Sequence, residues 1–445
     1  MATTSLSRTM TAGDRDKFTV SAWVKRGILG VAEYYWSCYT DASNYTCAFF
    51  DTDNTFHWYN HVSGAAGQQL PTRLFRDPGA WYHIVTVWDS AASAADRMRI
   101  YVNGDEVTTF LVDSNPSSGQ DSSFGNSGTT MYLGQKGDSS SYFGGSLAHV
   151  HVCDGQAYAA SDFGETDATS GIWIAKTSPS VTYGTNGGFY KFVSGATLTD
   201  SSGESNNLTL VGGTLTTTKD TPDNNFCVMN PLDNYYQAAT FSNGNNTVAT
   251  ANNAPSLGTI GVESGKWYFE AKAVSASSGG SDFLVGVSSS QVQSADKELG
   301  NYVNDYGYAA SGNLRNDDGN TAYGNTYAAG DIIGVALDLT NMNLYFSKNG
   351  TWQNSGDPTS GATGTGAIDI TQGTYITNPL GAWFPAVCGD SNGQNYTWST
   401  NFGNGYFGTT AVSTSQSDDA GIGSFEYDVP AGYYAICTTN LGDQS

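Results

Sequence analysis

Glu165 and Asp167 stand two residues apart, with Thr166 between them. Retaining glycoside hydrolysis needs two carboxylates about 5 Å apart, one as nucleophile and one as acid and base. Alternate residues of a strand would bring such a pair to one face. The surrounding residues 161–170 are polar and turn-like and lack the apolar alternation of a strand. Two histidine pairs are the next candidates. His57 and His61 are four apart, a spacing that binds zinc on a helix, yet nothing around them has helical periodicity. His149 and His151 would share one strand face and could share a metal, or sit as a satisfied pair on an edge. Asp162-Phe163-Gly164 spells a kinase metal motif, but no Gly-rich loop or catalytic loop accompanies it, which excludes kinase chemistry. Cys38, Cys47, Cys153, Cys227, Cys388 and Cys437 are scattered, with no Cys-x-x-Cys pair. They are expected as buried free thiols, with a Cys38–Cys47 bridge as the alternative.

The elements that must position these groups are strands. Residues 18–24, 81–88 and 147–152 alternate apolar and polar side chains, as half-buried strands do. Residues 266–271, 283–287, 331–339 and 344–348 do the same in the second half. Asn103-Gly104 and Asn349-Gly350 each separate two strand-like runs. Both turn residues need positive φ there, so each pair predicts a tight hairpin. Turn-rich residues 220–225, with Pro222, mark a domain boundary, placed at 225/226. The fold expected is all-β: two tandem antiparallel β-sandwiches, residues 1–225 and 226–445. Polar stretches such as 114–130 and 355–373 would be long loops at the sandwich ends.

Composition agrees. The chain of 445 residues has 27 Tyr, 20 Phe and 10 Trp for pleated strands, and 54 Gly for turns. With 18 Lys and Arg against 41 Asp and Glu, its formal charge is -23. Such a surface repels phosphate backbones and anionic lipids, so no nucleic acid and no membrane partner are expected. No run of about 18 apolar residues is present, and the first residues show no signal peptide.

The first half resembles the concanavalin A-like, laminin G/pentraxin-type jelly roll. The resemblance rests on residues 18–24, 81–85, 99–104 and 143–148. The second half resembles a SPRY domain through residues 266–270, 330–335, 344–350, 383–387 and 401–403. Residues 76–83, 154–157, 161–167, 183–187, 200–203, 220–226 and 437–441 are similar to stretches in structural proteins of marine bacteriophages. The combination implies a virion component such as a fibre, spike or capsid decoration, expected on the virion surface as a homo-oligomer among other virion proteins.

What the resemblance implies about chemistry is mostly negative. Glycoside hydrolases on the jelly roll carry Glu-x-Asp-x-x-Glu on one strand; here Glu165-Thr166-Asp167 is followed by Ala168, Thr169 and Ser170, without the final Glu. No catalytic residue and no enzyme activity are expected; a polysaccharide depolymerase and a non-viral lectin-like protein remain the alternatives. No cofactor is required, although calcium at a loop rim, as in laminin G and pentraxin relatives, would draw on Asp41, Asp51 and Asp53, or on Asp113 and Asp138. SPRY domains bind through loops at one end of the sandwich. The matching residues here are Tyr302, Asn304, Asp305, Tyr306, Arg315, Asp317, Asp318 and Tyr323, a mix of aromatic and polar groups suited to a host-surface glycan or protein. Trp267, Trp383 and Trp398 are expected in the core.

Overall fold

The computed structural model describes the chain except residues 1–2, 194–197, 234–237, 251–253, 278–281, 291–296, 372–379, 390–394 and 445. It divides into two compact units, Met1–Thr217 and Thr218–Ser445. Each is a pair of packed β-sheets.

In the first unit an eight-stranded sheet faces a six-stranded one, counted among the described residues. Strand Lys17–Lys25 lies inside the smaller sheet, antiparallel to Trp81–Asp89 and to Ser146–Asp154. Its alternation works as expected: Phe18, Val20, Ala22 and Val24 enter the core between the sheets. Phe18 meets Trp36 and Trp58 edge-on at 6.0 and 5.8 Å and stacks on Phe124 at 4.6 Å. The far side of the six-stranded sheet is roofed by later chain. Val85, Val87 and Cys153 pack there beneath Phe163, Tyr183 and Phe189.

In the second unit, again counted among the described residues, a nine-stranded and a six-stranded sheet enclose a core around Trp267, Trp383 and Trp398. All three tryptophans are buried, as expected from the sequence. Lys266–Ala276 is the central strand of the larger sheet, between Ile332–Asp338 and Tyr396–Asn401.

Both Asn-Gly hairpins form as expected. Asn103 and Gly104 have φ of 50° and 92°, and Asn349 and Gly350 have 48° and 79°. The stretch 355–373 is less open than expected, since Pro358–Thr363 is a 3-10 turn and Ile368–Asp369 pairs with Asn343–Lys348. Among the described residues the α-helix is the six-residue Thr438–Asp443. Among those residues, too, no helix is long and apolar enough to cross a membrane.

Candidate binding site on the second unit

The eight residues expected to form a loop surface separate into three groups. Asp305 and Tyr306 belong to strand Asp305–Ala309, and Asn304 lies just before it, all buried. Tyr306 packs in the core, with its ring 5.8 Å from that of Trp383. Asp305 accepts a hydrogen bond from Ser288 Oγ at 2.7 Å, and burial pushes its carboxyl up to about 7. These three positions are therefore corrected from open loop to buried framework. Alternation places Tyr306 and Tyr308 on the core face, a pattern hidden by the polar residues on either side.

The second group surrounds the tip of the hairpin Asn313–Asn316 and Gly319–Ala322. Asp317 and Asp318 are exposed, both with positive φ, at 51° and 57°. Asp318 accepts from Asn301 Nδ2 at 2.6 Å and lies 3.7 Å from Lys297 Nζ. Lys297 also sits over the Tyr302 ring at 5.8 Å. Arg315 pairs with Glu298 at 3.0 Å. The charges at this end of the hairpin are thus largely matched among themselves.

Tyr323 lies beyond the opposite end of the same hairpin. Its ring packs edge-on against Tyr308 and Phe346, and its hydroxyl accepts the backbone N–H of Phe346 at 3.2 Å. It is half-buried and lines a groove of about 470 Å³ between residues 322–325 and 352–355. Trp352 forms the facing wall, and Asn325, Gln353, Asn354 and Ser355 add polar groups without net charge. Gln353 fixes the groove from below. Its Oε1 accepts Asn325 N–H at 2.8 Å and its Nε2 donates to Thr351 O at 2.7 Å. Asn354 and Ser355 both have positive φ, 52° and 53°, which is unusual for side-chain-bearing residues outside hairpin turns. The groove residues after 350 are absent from the eight expected from the sequence. Their one signal is Trp352 directly after a hairpin turn, where a core strand is not required.

Two stretches of the chain match known families. Residues 3–161 match the concanavalin A-like lectin/glucanases superfamily. Residues 266–369 match the SPRY domain. The chain carries a concanavalin A-like domain followed by a SPRY domain. Among solved structures, the SPRY domain of human HERC1 is 19% identical, with 39% of this chain and 96% of that chain covered at a TM-score of 0.29. A heptameric SAP-like pentraxin from Limulus polyphemus is 20% identical, with 39% of this chain and 86% of that chain covered, also at 0.29.

The concanavalin A-like domain disposes of its chemical candidates locally. Glu165 is exposed on the two-stranded hairpin Gly164–Thr166 and Trp173–Ala175, outside both main sheets. Asp167 Oδ1 accepts the N–H groups of Thr169 and Ser170 at 3.1 and 2.7 Å, closing a turn. His149 and His151 both lie against the Phe189 ring, at 6.0 and 3.9 Å. The strand bulges between Ala148 and His151, and His149 has φ of 45°. His151 is buried, stacked 3.9 Å from the Phe189 ring, with Nδ1 3.0 Å from Tyr183 OH; burial holds its pKa well below the ordinary value. His57 stacks on Phe49 at 4.6 Å and His61 lies beside Tyr45 and Tyr59.

The calcium candidates are likewise engaged. Asp41, Asp53 and Asp138 accept turn N–H groups from Ser43, Thr55 and Ser140. Asp51 faces His57 at 3.5 Å, and Asp113 accepts from Gln69. Among the described residues no three His, Cys, Asp or Glu side chains gather as a metal ion would need. All six cysteines are buried thiols outside any disulfide. Cys38 opposes Thr46 while Cys47 opposes Ser37, so the two thiols point to opposite faces of the sheet and cannot bridge.

Proposed function

We propose that the chain is a non-enzymatic recognition protein of a virus particle, a fibre, spike or capsid decoration. It acts as a homo-oligomer on the virion surface and binds a host-surface glycan or protein, or a neighbouring virion protein. The observation that carries the binding part is the SPRY-domain groove between Tyr323 and Trp352. It is uncharged, rich in amide donors and acceptors, and pinned from beneath by Gln353. Rigid aromatic walls with adaptable polar groups give contact area at low entropy cost. Support for the virion part is the similarity of residues 76–83, 154–157 and 437–441 to phage structural proteins.

Gold-tagged antibody against this chain, applied to purified parent particles, tests the placement by electron microscopy. Gold at tail or fibre tips supports host recognition, and gold over the head supports decoration. Intact particles without gold would remove the virion role. The groove is tested by Trp352→Ala, which is expected to weaken attachment of the protein to host cells about tenfold in a pull-down titration. Unchanged attachment by a folded variant would move the binding surface elsewhere.

A further inference from the structure

Two histidines lie beneath later chain on the outer face of the six-stranded sheet of the concanavalin A-like domain. His83 and His151 are both buried, on strands Trp81–Asp89 and Ser146–Asp154, either side of Lys17–Lys25. The His83 ring lies between two indoles, Trp23 at 5.0 Å and Trp173 at 6.0 Å. Trp173 comes from the small hairpin Gly164–Thr166 and Trp173–Ala175, outside both main sheets. A Cβ at Gly104 or Gly164 would come within 2.7 or 2.5 Å of its indole, so two glycines make the seat that brings it to His83. Its Nε1–H donates to His83 Nδ1 at 3.0 Å. An indole N–H only donates, so Nδ1 carries no proton, and the ring proton sits on Nε2, 2.8 Å from Ser21 Oγ. His151 Nδ1 lies 3.0 Å from Tyr183 OH, and its ring stacks on Phe189. Phe163 and Tyr183 close the cluster above Val85, Val87 and Cys153.

We propose that residues 160–183 form an acid-released cover over this face, with His83 as its latch and His151 as a second titrating contact. A proton added at His83 Nδ1 would set one N–H against another, and Trp173 would have to leave. The indole faces attract a cation, but the ring takes the proton at the very atom that holds Trp173. The neighbours offer no stabilising anion. His149 acts on both rings, His83 and Lys191 act on His151, and all are cations or become cations in acid. Lys25 opposes Trp81 further along the same face, and Arg99 reaches Tyr101 OH at 3.3 Å. The carboxylates that face the cluster are Asp162, toward Cys153, and Asp200, toward Tyr183. Both are engaged by backbone N–H groups, of Ala159 and of Phe189, Ser202 and Asn206.

Burial holds both imidazoles below the ordinary histidine value, His83 at about 3. Opening restores the ordinary value of about 6.5, so the open form binds more protons. Closure is therefore fully stabilised above about pH 6.5 and is lost as pH falls from there toward about 3. Within that window each histidine raises the open population about tenfold per pH unit, and the two together about a hundredfold. Opening uncovers Val85, Val87 and Trp23, so the acid form presents apolar surface that the neutral form hides.

Hydrogen–deuterium exchange of the full chain, read by mass spectrometry from pH 7.5 to pH 4.5, tests the cover. Each peptide is scored against its unstructured exchange rate at the same pH. Protection within 160–183 should fall about a hundredfold per pH unit below about pH 6.5, until it is gone, while Lys17–Lys25 keeps its protection. His83→Gln retains an acceptor for Trp173 and a donor for Ser21 but takes no proton. It should cut the slope to about tenfold per unit, and His83→Gln/His151→Gln should remove it. Protection that stays constant down to pH 4.5 would overturn the proposal. Equal loss in Lys17–Lys25 would do so too, because the whole domain would then be unfolding. A full slope in folded His83→Gln would deny the latch. If that variant does not fold, His151→Gln decides: about tenfold per unit must remain, and a flat response would remove His83 from the device.

Discussion

Glu33 of the concanavalin A-like domain and Glu270 of the SPRY domain are both fully buried, yet they are held by opposite means. Glu33 pairs with the equally buried Arg26 at 3.2 Å and accepts Gly144 N–H at 2.9 Å. Arg26 spends its remaining donors on Phe75 O, Ile28 O and Asn54 Oδ1. Glu270 is held by neutral donors: the N–H groups of Glu426 and Tyr427, both at 2.9 Å, with Tyr268 OH and Asn401 Nδ2. Burial pushes both carboxyls up to about 7, and Arg26 pulls Glu33 the other way. One domain uses a charge pair to tie two strand ends and a loop. The other uses a carboxyl to capture a late chain segment against its central strand. A buried charge with a partner is costly to break, whereas a buried group with neutral donors is sensitive to its own protonation.

That contrast is sharpest in mutation. Glu33→Gln leaves the Arg26 guanidinium buried without its anion, and loss of about 3–5 kcal/mol is expected for the first domain. Glu270→Gln turns one amide N–H toward donors that previously met oxygen, and about 1–3 kcal/mol is expected for the second. Denaturant unfolding of the full chain measures both. Equal losses would break the comparison, because the two environments would then be energetically alike.

The pH response should differ next. The SPRY domain has two carboxyls raised to about 7, Glu270 and Asp305, against Glu33 in the first domain. A folded-state pKa above the unfolded one means that the native form holds the proton more tightly. The stabilisation is fully present below the ordinary carboxylate range and is lost as pH rises through about 7. Every tenfold gain in proton affinity on folding corresponds to about 1.4 kcal/mol, so the two groups together are worth several kcal/mol between about pH 4 and pH 8. Calorimetry at pH 5 and pH 8 should show the SPRY transition falling more than the other. Glu270→Gln should reduce the SPRY response while Asp305 keeps the remainder, and a slope left intact by that change would deny Glu270 its part in it.

Much of the framework was legible because strands and hairpins write themselves locally. Apolar alternation at Phe18–Val24 and the Asn-Gly pairs at 103 and 349 needed no tertiary information. The bulge at His149 was not legible, since nothing in its side chain demands positive φ. The SPRY site was half legible. Asp317 and Asp318 are exposed as a polar loop suggests, whereas Asp305 and Tyr306 were drawn into the sheet by pairing with Phe283–Ser288, with Tyr306 beside Trp383 and Asn304 buried just before the strand. The groove joins Tyr323 to Trp352 across the intervening strands Ile332–Asp338 and Asn343–Lys348, through the hydrogen bond from Asn325 to Gln353. Single-sequence periodicity does not carry such a contact. The outward rings of the concanavalin A-like domain were hidden differently. Strands Glu33–Asp41 and Phe56–Val62 are aromatic on both faces, so alternation alone did not separate core rings from surface rings.

The smallest expected effect concerns the turns themselves. Asn103-Gly104 and Asn349-Gly350 meet the demand for two positive φ values with the residues that tolerate it best. Asp317-Asp318 meets the same demand in the SPRY hairpin with two adjacent carboxylates. A side chain in the left-handed region carries a steric cost that glycine avoids, reduced for Asp by local hydrogen bonding. Against this, Asp318→Gly gives up an exposed bond to Asn301 and a screened contact with Lys297, and adds freedom to the unfolded chain. The balance should favour the variant by about 0.5 kcal/mol, seen as a small rise in the SPRY unfolding midpoint. A fall instead would mean that the Asn301–Asp318–Lys297 contacts hold the hairpin tip more firmly than the two tight Asn-Gly turns require of theirs.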